Sequence, residues 1–480
     1  MLKNHLTTDN LLTLPKVDAN SVDDKLSEAL ASLNKKIIVL DDDPTGVQTV
    51  NNISVYTDSS VESIEQGLKE DNLMFFILTN SRGLTAEETT KYHREAAANI
   101  VQAANKLNQE FMIISRSDST LRGHYPLETM VVKDTIESLD SDLKIDGEVI
   151  LPFFKEGGRL TINNIHYVQY GGELVPAGET EFAKDRTFGY TKSHLGEWIE
   201  EKSNGKYTAE DTLYISLEQL RGLEYENITK QLLGVHDFNK VVVNAVDEID
   251  VKIFTTCLVQ AINAGKNFLF RTAAAFPKVI GGVRNKALLT REELITEETG
   301  NGGLVMIGSH VKKTTEQLEE LKTLETIEFI ELDSHLVLHP ALFSKECRRV
   351  QDLTESLLQS GKNVAVYTQR ERLDLGPDKK EEELKLSIAI SDAVTGIVDK
   401  LQVRPNFLIA KGGITSSDIG TKGLKVKRAT VAGQIRPGIP VWKTGDEAKY
   451  PGMAYVIFPG NVGTKTDLKE IVQLLSQKGE

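Results

Sequence analysis

Apolar, β-branched runs alternate with polar loops and helix-forming stretches along most of this chain. Lys36–Leu40, Asn72–Thr79, Glu110–Ser115 and Gly147–Phe154 each read as buried strands, and Lys240–Asn244 and Asn267–Arg271 add two more. Between them, Thr85–Leu107 is rich in helix formers, with Thr85 as N-cap and Glu88 three residues on. Strand, polar loop, helix and strand in succession predict an α/β fold with a mostly parallel or mixed sheet flanked by helices. Lys155–Tyr190 breaks the rhythm and reads as loop-rich, with Gly157-Gly158 and Gly171-Gly172 as breakers.

The rhythm restarts in the second half. Gly303–Gly308, Asn363–Thr368 and Asn406–Lys411 read as strands, and Glu381–Leu401 as a long amphipathic helix. Short strands near Pro440–Lys443 and Tyr455–Phe458, then a helix over Thr466–Gln477, close the pattern. Steady periodicity lapses over Ala273–Gly300, which places a boundary near Arg291. The expected organisation is a lead-in over 1–35, one α/β domain over 36–290 and a second over 291–480. No internal repeat interrupts it.

Composition narrows the function classes. A net charge of −14 argues against a nucleic-acid-binding surface, and 40% hydrophobic with 26% charged residues supports ample core. No apolar run approaches the ~18 residues of a membrane span, and the first residues lack a basic-then-apolar leader, so a cytoplasmic location is expected. Cys257 and Cys347 lie far apart without metal-type spacing, which argues against both disulfides and zinc.

Candidate chemistry falls on the loops after strands, where open α/β sheets bind ligands. The run Lys36–Leu40 ends in Asp41-Asp42-Asp43-Pro44-Thr45-Gly46. Three adjacent carboxylates repel one another, so a cation, a metal or a shared proton is expected nearby, although a helix cap with solvated turn acids has the same composition. Arg116, Asp118, Ser119, Arg122 and His124 crowd another loop, and Arg82 follows the neighbouring strand. Guanidinium groups and hydroxyls suit a carboxylate or phosphate; the alternative is a loop held by an internal Arg–Asp pair. His124 and His310 are candidate acid–base groups. Gly412-Gly413-Ile414-Thr415 and Gly460-Asn461-Val462-Gly463 are strand-end turns able to approach a phosphate. Neither the Walker pattern nor the three-glycine dinucleotide pattern is present.

In combination these motifs resemble the four-carbon acid sugar kinases, a family once grouped as a domain of unknown function. The resemblance rests on Asp42-Asp43-Pro44-Thr45-Gly46, Ser81-Arg82, Asp118-Ser119-Thr120-Leu121-Arg122-Gly123, Gly308-Ser309, Gly412-Gly413-Ile414-Thr415 and Gly460-Asn461-Val462-Gly463, spread in family order over residues 36–475. It implies an ATP- and Mg²⁺-dependent kinase of small hydroxy acids such as threonate, erythronate or an oxo-tetronate. It also implies an acid-sugar-binding first domain, a nucleotide-binding second domain and an active site in the interdomain cleft. On it, Asp42 and Asp43 are the catalytic candidates, and Arg82, Arg116, Asp118, Ser119 and Arg122 the substrate-binding ones. Ser309, Gly412, Gly413, Ile414, Thr415 and Gly460 become the nucleotide-binding candidates, with no metal ligand singled out. The expected partners are the sugar acid and ATP, and a homodimer is compatible with the reading. The chain departs from the family at Thr49, where many members have aspartate, and at Pro44, where they have Leu or Phe. Two alternatives stand beside the kinase: a metal-dependent hydrolase or phosphatase using the Asp41–Asp43 acids, and a non-catalytic bilobed ligand-binding protein.

Overall fold

The computed structural model describes residues 6–371, 373, 375 and 380–477. The first five residues of the lead-in and the last three of the chain lie outside them. The chain forms two compact units, residues 1–42 with 58–284, and residues 43–57 with 285–480. The division therefore passes between Asp42 and Asp43, and a short excursion of the chain belongs to the second unit.

In the first unit, a parallel sheet runs Leu213–Ile215, Asn239–Val243, Gly147–Leu151, Phe268–Thr272, Phe111–Arg116, Lys36–Asp41, Met74–Leu78. Lys36–Asp41 is buried throughout, as strands covered on both faces must be. Its neighbours are the next two strands of this unit in chain order, one on each side. The order therefore reverses here, and the carboxyl ends on either side frame a crevice. Register places Asp41 opposite both Leu78 and Arg116, and Arg116 opposite Thr272, so the loops that follow leave from one row. Helix Ala86–Leu107 begins on the expected capping box, with Thr85 and Glu88 bonded reciprocally.

The stretch Lys155–Tyr190, expected as loop, contains antiparallel strands instead. Arg159–Ile162 pairs with Ile165–Tyr170, which pairs with Glu173–Pro176, which pairs with Leu6–Thr7. The first turn is Asn163-Asn164, both residues at positive φ (49° and 66°), as a two-residue hairpin turn of right-handed twist requires. Asparagine tolerates that conformation, and glycine was not needed to signal it.

In the second unit the sheet is mixed. Ser54–Tyr56, Arg428–Arg436 and Ile439–Thr444 are antiparallel neighbours, and Ile439–Thr444 borders Ala454–Phe458. From there Ala454–Phe458, Leu408–Lys411, Leu304–Ile307, Asn363–Thr368 and Ile327–Leu332 run parallel. The nine-residue strand Arg428–Arg436 went unread because two of its alternating buried positions, Ala429 and Gly433, are too small to give a hydrophobic signal. Leu304–Ile307 is the first of the parallel strands in the chain and lies centrally, so the order reverses here too. The core packs Val305, Ile307, Leu318, Ile409, Val441, Val456 and Phe458 together.

Ile114 is fully buried between Val39 and Phe270 on the central strands of the first unit. Ile114→Ala is expected to destabilise that unit by about 2–5 kcal/mol, read as a lower denaturant midpoint at unchanged slope.

Candidate functional site

Asp42 ends the row of strand termini in the first unit with only 3% of its surface exposed. Arg82 grips it in fork geometry, Nε donating to Oδ2 at 3.1 Å and Nη2 to Oδ1 at 2.9 Å. Arg116 Nη1 lies 3.3 Å from Asp41 Oδ1 and 3.4 Å from Asp42 Oδ1. The cations that the acidic run demanded are thus protein side chains. Burial pushes the Asp42 carboxyl pKa up, and the two arginines offset this only in part.

The following loop is pinned internally. Arg122 Nε donates to Asp118 Oδ2 at 2.7 Å and to Thr120 Oγ1 at 3.1 Å, while Thr120 also donates to Asp118. Burial alone would raise the Asp118 pKa, but Arg122 and Arg82 outweigh it and hold the carboxyl well below its usual range. Ser119 is buried, and its carbonyl accepts from His166 Nε2 at 2.7 Å. His166 Nδ1 lies 3.0 Å from Thr161 Oγ1, so the imidazole is neutral with its proton on Nε2. His124 Nε2 is spent on the Leu84 carbonyl at 2.9 Å.

Beneath these loops lies a buried pair that sequence reading missed. Arg271 donates to Ser117 Oγ at 2.6 Å and to the Arg122 carbonyl at 2.8 Å, and its Nη1 lies 3.4 Å from Glu128 Oε2. Glu128 in turn accepts from Ser81, the residue before Arg82. Burial would raise the Glu128 pKa, yet His93, Arg271 and the Ser81 hydroxyl bring it below the usual value. One ion pair therefore ties the Ser81-Arg82 turn to the Ser117–Arg122 loop. Arg271 carried the same signal as Arg116, a charge at the end of an apolar strand. Glu128 and His166 carried none.

In the second unit, Asp43 Oδ1 accepts from the Thr45 amide at 2.7 Å and caps the turn Pro44–Val47. Its Oδ2 lies 3.0 Å from where a Cβ on Gly413 would stand, at the start of helix Gly413–Asp418. Ile307, Lys411 and Phe458 end adjacent strands in register, and Ser309, Gly412 and Gly460 follow them closely. Gly412 has φ +124°, and a Cβ there would meet Ser309 Cβ at 3.0 Å; one on Gly460 would meet Ser309 Oγ at 3.0 Å. The two glycines are needed because the three turns converge this closely. Thr314 Oγ1 lies 3.1 Å from Ser309 Oγ and 3.3 Å from the Gly460 carbonyl. Thr415 is buried, while Ile414 is 70% exposed.

Two cations join these turns without having been read from sequence. Lys411 is fully buried and donates to the Pro459 carbonyl at 2.6 Å, and burial drives its pKa well below normal. Arg370 donates to the Ser309 carbonyl at 2.6 Å. His310 Nε2 lies 3.1 Å from the Gln369 carbonyl, at an exposed position. Among the described residues no group of three His, Cys, Asp or Glu side chains could hold a metal ion. No helix of the described residues is long and apolar enough to cross a membrane.

A sugar-binding N-terminal domain family matches residues 37–280, and a nucleotide-binding C-terminal domain family matches residues 304–468. No curated protein matches significantly. Among solved structures, the Haemophilus influenzae protein HI1011 of the DUF1537 family is 20% identical, with a TM-score of 0.59 over 91% of this chain and 99% of that one. A Salmonella typhimurium LT2 protein with a provisional tRNA synthase name is 16% identical, with a TM-score of 0.62 over 90% of this chain and 97% of that one. Both likenesses establish the fold.

Burial, opposed only partly by the bond to Ser119, depresses the His166 pKa from 6.5 to about 4. The unfolded chain then takes up a proton first, so stability present above pH 6.5 is lost as pH falls toward 4. Denaturant titrations over that window should show a loss on the order of 3 kcal/mol in the wild type that is absent from His166→Gln.

Proposed function

The chain belongs to the four-carbon acid sugar kinase family, and on that premise we propose that it transfers a phosphoryl group from ATP to a hydroxyl of a small sugar acid. Threonate, erythronate and an oxo-tetronate are the substrates in view. What carries the reading is the convergence of Ser309, Gly412 and Gly460 at adjacent strand ends, in a chain whose other unit matches a sugar-binding domain.

Phosphoryl transfer needs positioning and charge stabilisation more than covalent help. Arg82, Arg116 and Arg122 are each paired with an aspartate, so they offer the anionic substrate their remaining N–H donors, while Ser119 and Asp118 supply polar partners for its hydroxyls. Asp42 accepts the proton of the attacking hydroxyl; its burial, which lifts the pKa, suits a base that must be neither too weak nor always protonated. Ser309, Gly412–Thr415 and Gly460 receive the nucleotide, the bare glycine turns letting it approach the backbone closely. ATP, when bound, would bring the transferable phosphoryl group, and Mg²⁺ would supply charge neutralisation for its oxygens. Asp43, set beside Gly413, is the protein carboxylate placed to hold that ion or its water, and Mg²⁺ bound mostly through phosphates needs few more.

Asp42 and Asp43 are consecutive, yet their side chains take partners from different units. For a metal-dependent hydrolase, the guanidinium groups of Arg82 and Arg116 beside Asp41 and Asp42 would compete with a metal cation for those carboxylates.

Asp42→Asn should lower kcat for four-carbon sugar acids by about 10²–10⁴-fold. Asp43→Asn should instead raise the Mg²⁺ concentration needed for half-maximal rate. Coupled ADP-release assays check both; wild-type kcat in each variant would remove the assigned roles.

A further inference from the structure

We propose that Arg370 is a phosphate-binding residue of the nucleotide site, one that none of the motifs includes. This inference rests on the nucleotide-binding reading of the second unit.

Arg370 follows strand Asn363–Thr368, whose Tyr367 is in register with Ile307. It therefore emerges on the same row of carboxyl ends as Ser309, on the side away from Gly412. Its guanidinium is partly spent on the site itself. Nη2 donates to the Ser309 carbonyl at 2.6 Å and to Thr315 Oγ1 at 3.0 Å, and Nε points at the same hydroxyl at 3.3 Å. These bonds fix the plane of the fork. Nη1, on the remaining edge, is buried and has no hydrogen-bond partner among the described residues.

No carboxylate of the described residues forms an ion pair with Arg370; Glu319 acts on it only at longer range. A guanidinium half out of solvent, without a counter-charge and with a buried donor unused, is costly to keep unless an anion completes it. The other basic side chain here, Lys411, does not meet this need: it is fully buried, donates to the Pro459 carbonyl, and burial favours its neutral form. Each neighbouring turn presents backbone groups, which suit phosphate oxygens but bring no net charge. Arg370 supplies the formal charge that the glycine turns lack, and Nη1 is the donor left for a phosphate oxygen.

The test compares ligands with and without phosphates on the full-length protein. Isothermal titration calorimetry with Mg-ATP and with adenosine is run on wild type, Arg370→Lys and Arg370→Met. Arg370→Met should weaken Mg-ATP binding about tenfold or more, the usual worth of a charge-assisted bond, while adenosine changes less than twofold. Arg370→Lys should recover part of the loss, because it keeps the charge and not the fork. A merely structural role, through the Ser309 carbonyl, would weaken both ligands alike and overturn the proposal. So would an unchanged Mg-ATP affinity in Arg370→Met. Wild-type protein that binds neither ligand would instead remove the nucleotide reading on which the proposal stands.

Discussion

Charge neutralisation at the carboxyl ends of the first unit's parallel strands is the constraint on which its site depends. Parallel pairing in fixed register sets Asp41 against Arg116, and the turn after the next strand swings Arg82 onto Asp42. Asp41, Asp42 and Arg116 are nearly out of solvent, where a lone charge would be prohibitive and removing one partner of a pair typically costs ~3–5 kcal/mol. The loops are therefore held to each other as firmly as they are held to the strands. A second tier, Glu128 with Arg271, does the same from below and reaches the backbone of Arg122. Such double support is what keeps recognition groups pre-positioned, so that little reorganisation is left for the moment of binding.

The second unit meets a related demand by different means. Its three converging turns carry almost no side chain, and glycine lets the backbones come within contact distance of Ser309. The Ser309 and Thr314 hydroxyls provide polarity, and Lys411 and Arg370 clamp the turns from inside the protein by their carbonyls. One unit is thus organised by paired side-chain charges and the other by bare backbone.

Much of this was legible in the amino-acid order. Apolar runs ending in Asp41, Arg116, Ile307 and Lys411 announced parallel strands, because a strand covered on both faces must be continuously hydrophobic. The Thr85–Glu88 capping box marked a helix start for a local reason, two amides and two side chains within one turn. Candidate residues clustered after strands because open sheets leave their ligand-binding loops there. The antiparallel strands within Lys155–Tyr190 were less visible, since their turns use asparagine as well as glycine and their strands are short.

Local patterning determined where strands and helices begin, which loops carry chemistry, and that the chain repeats an α/β plan in two units. Only tertiary structure decided which polar and charged groups meet. Asp42 with Arg82, Glu128 with Arg271, His166 with Ser119 and Arg370 with Ser309 all join residues more than 39 positions apart in the chain. Nothing in the spacing of such residues encodes their meeting; strand order and register do, and these are set by how whole elements pack.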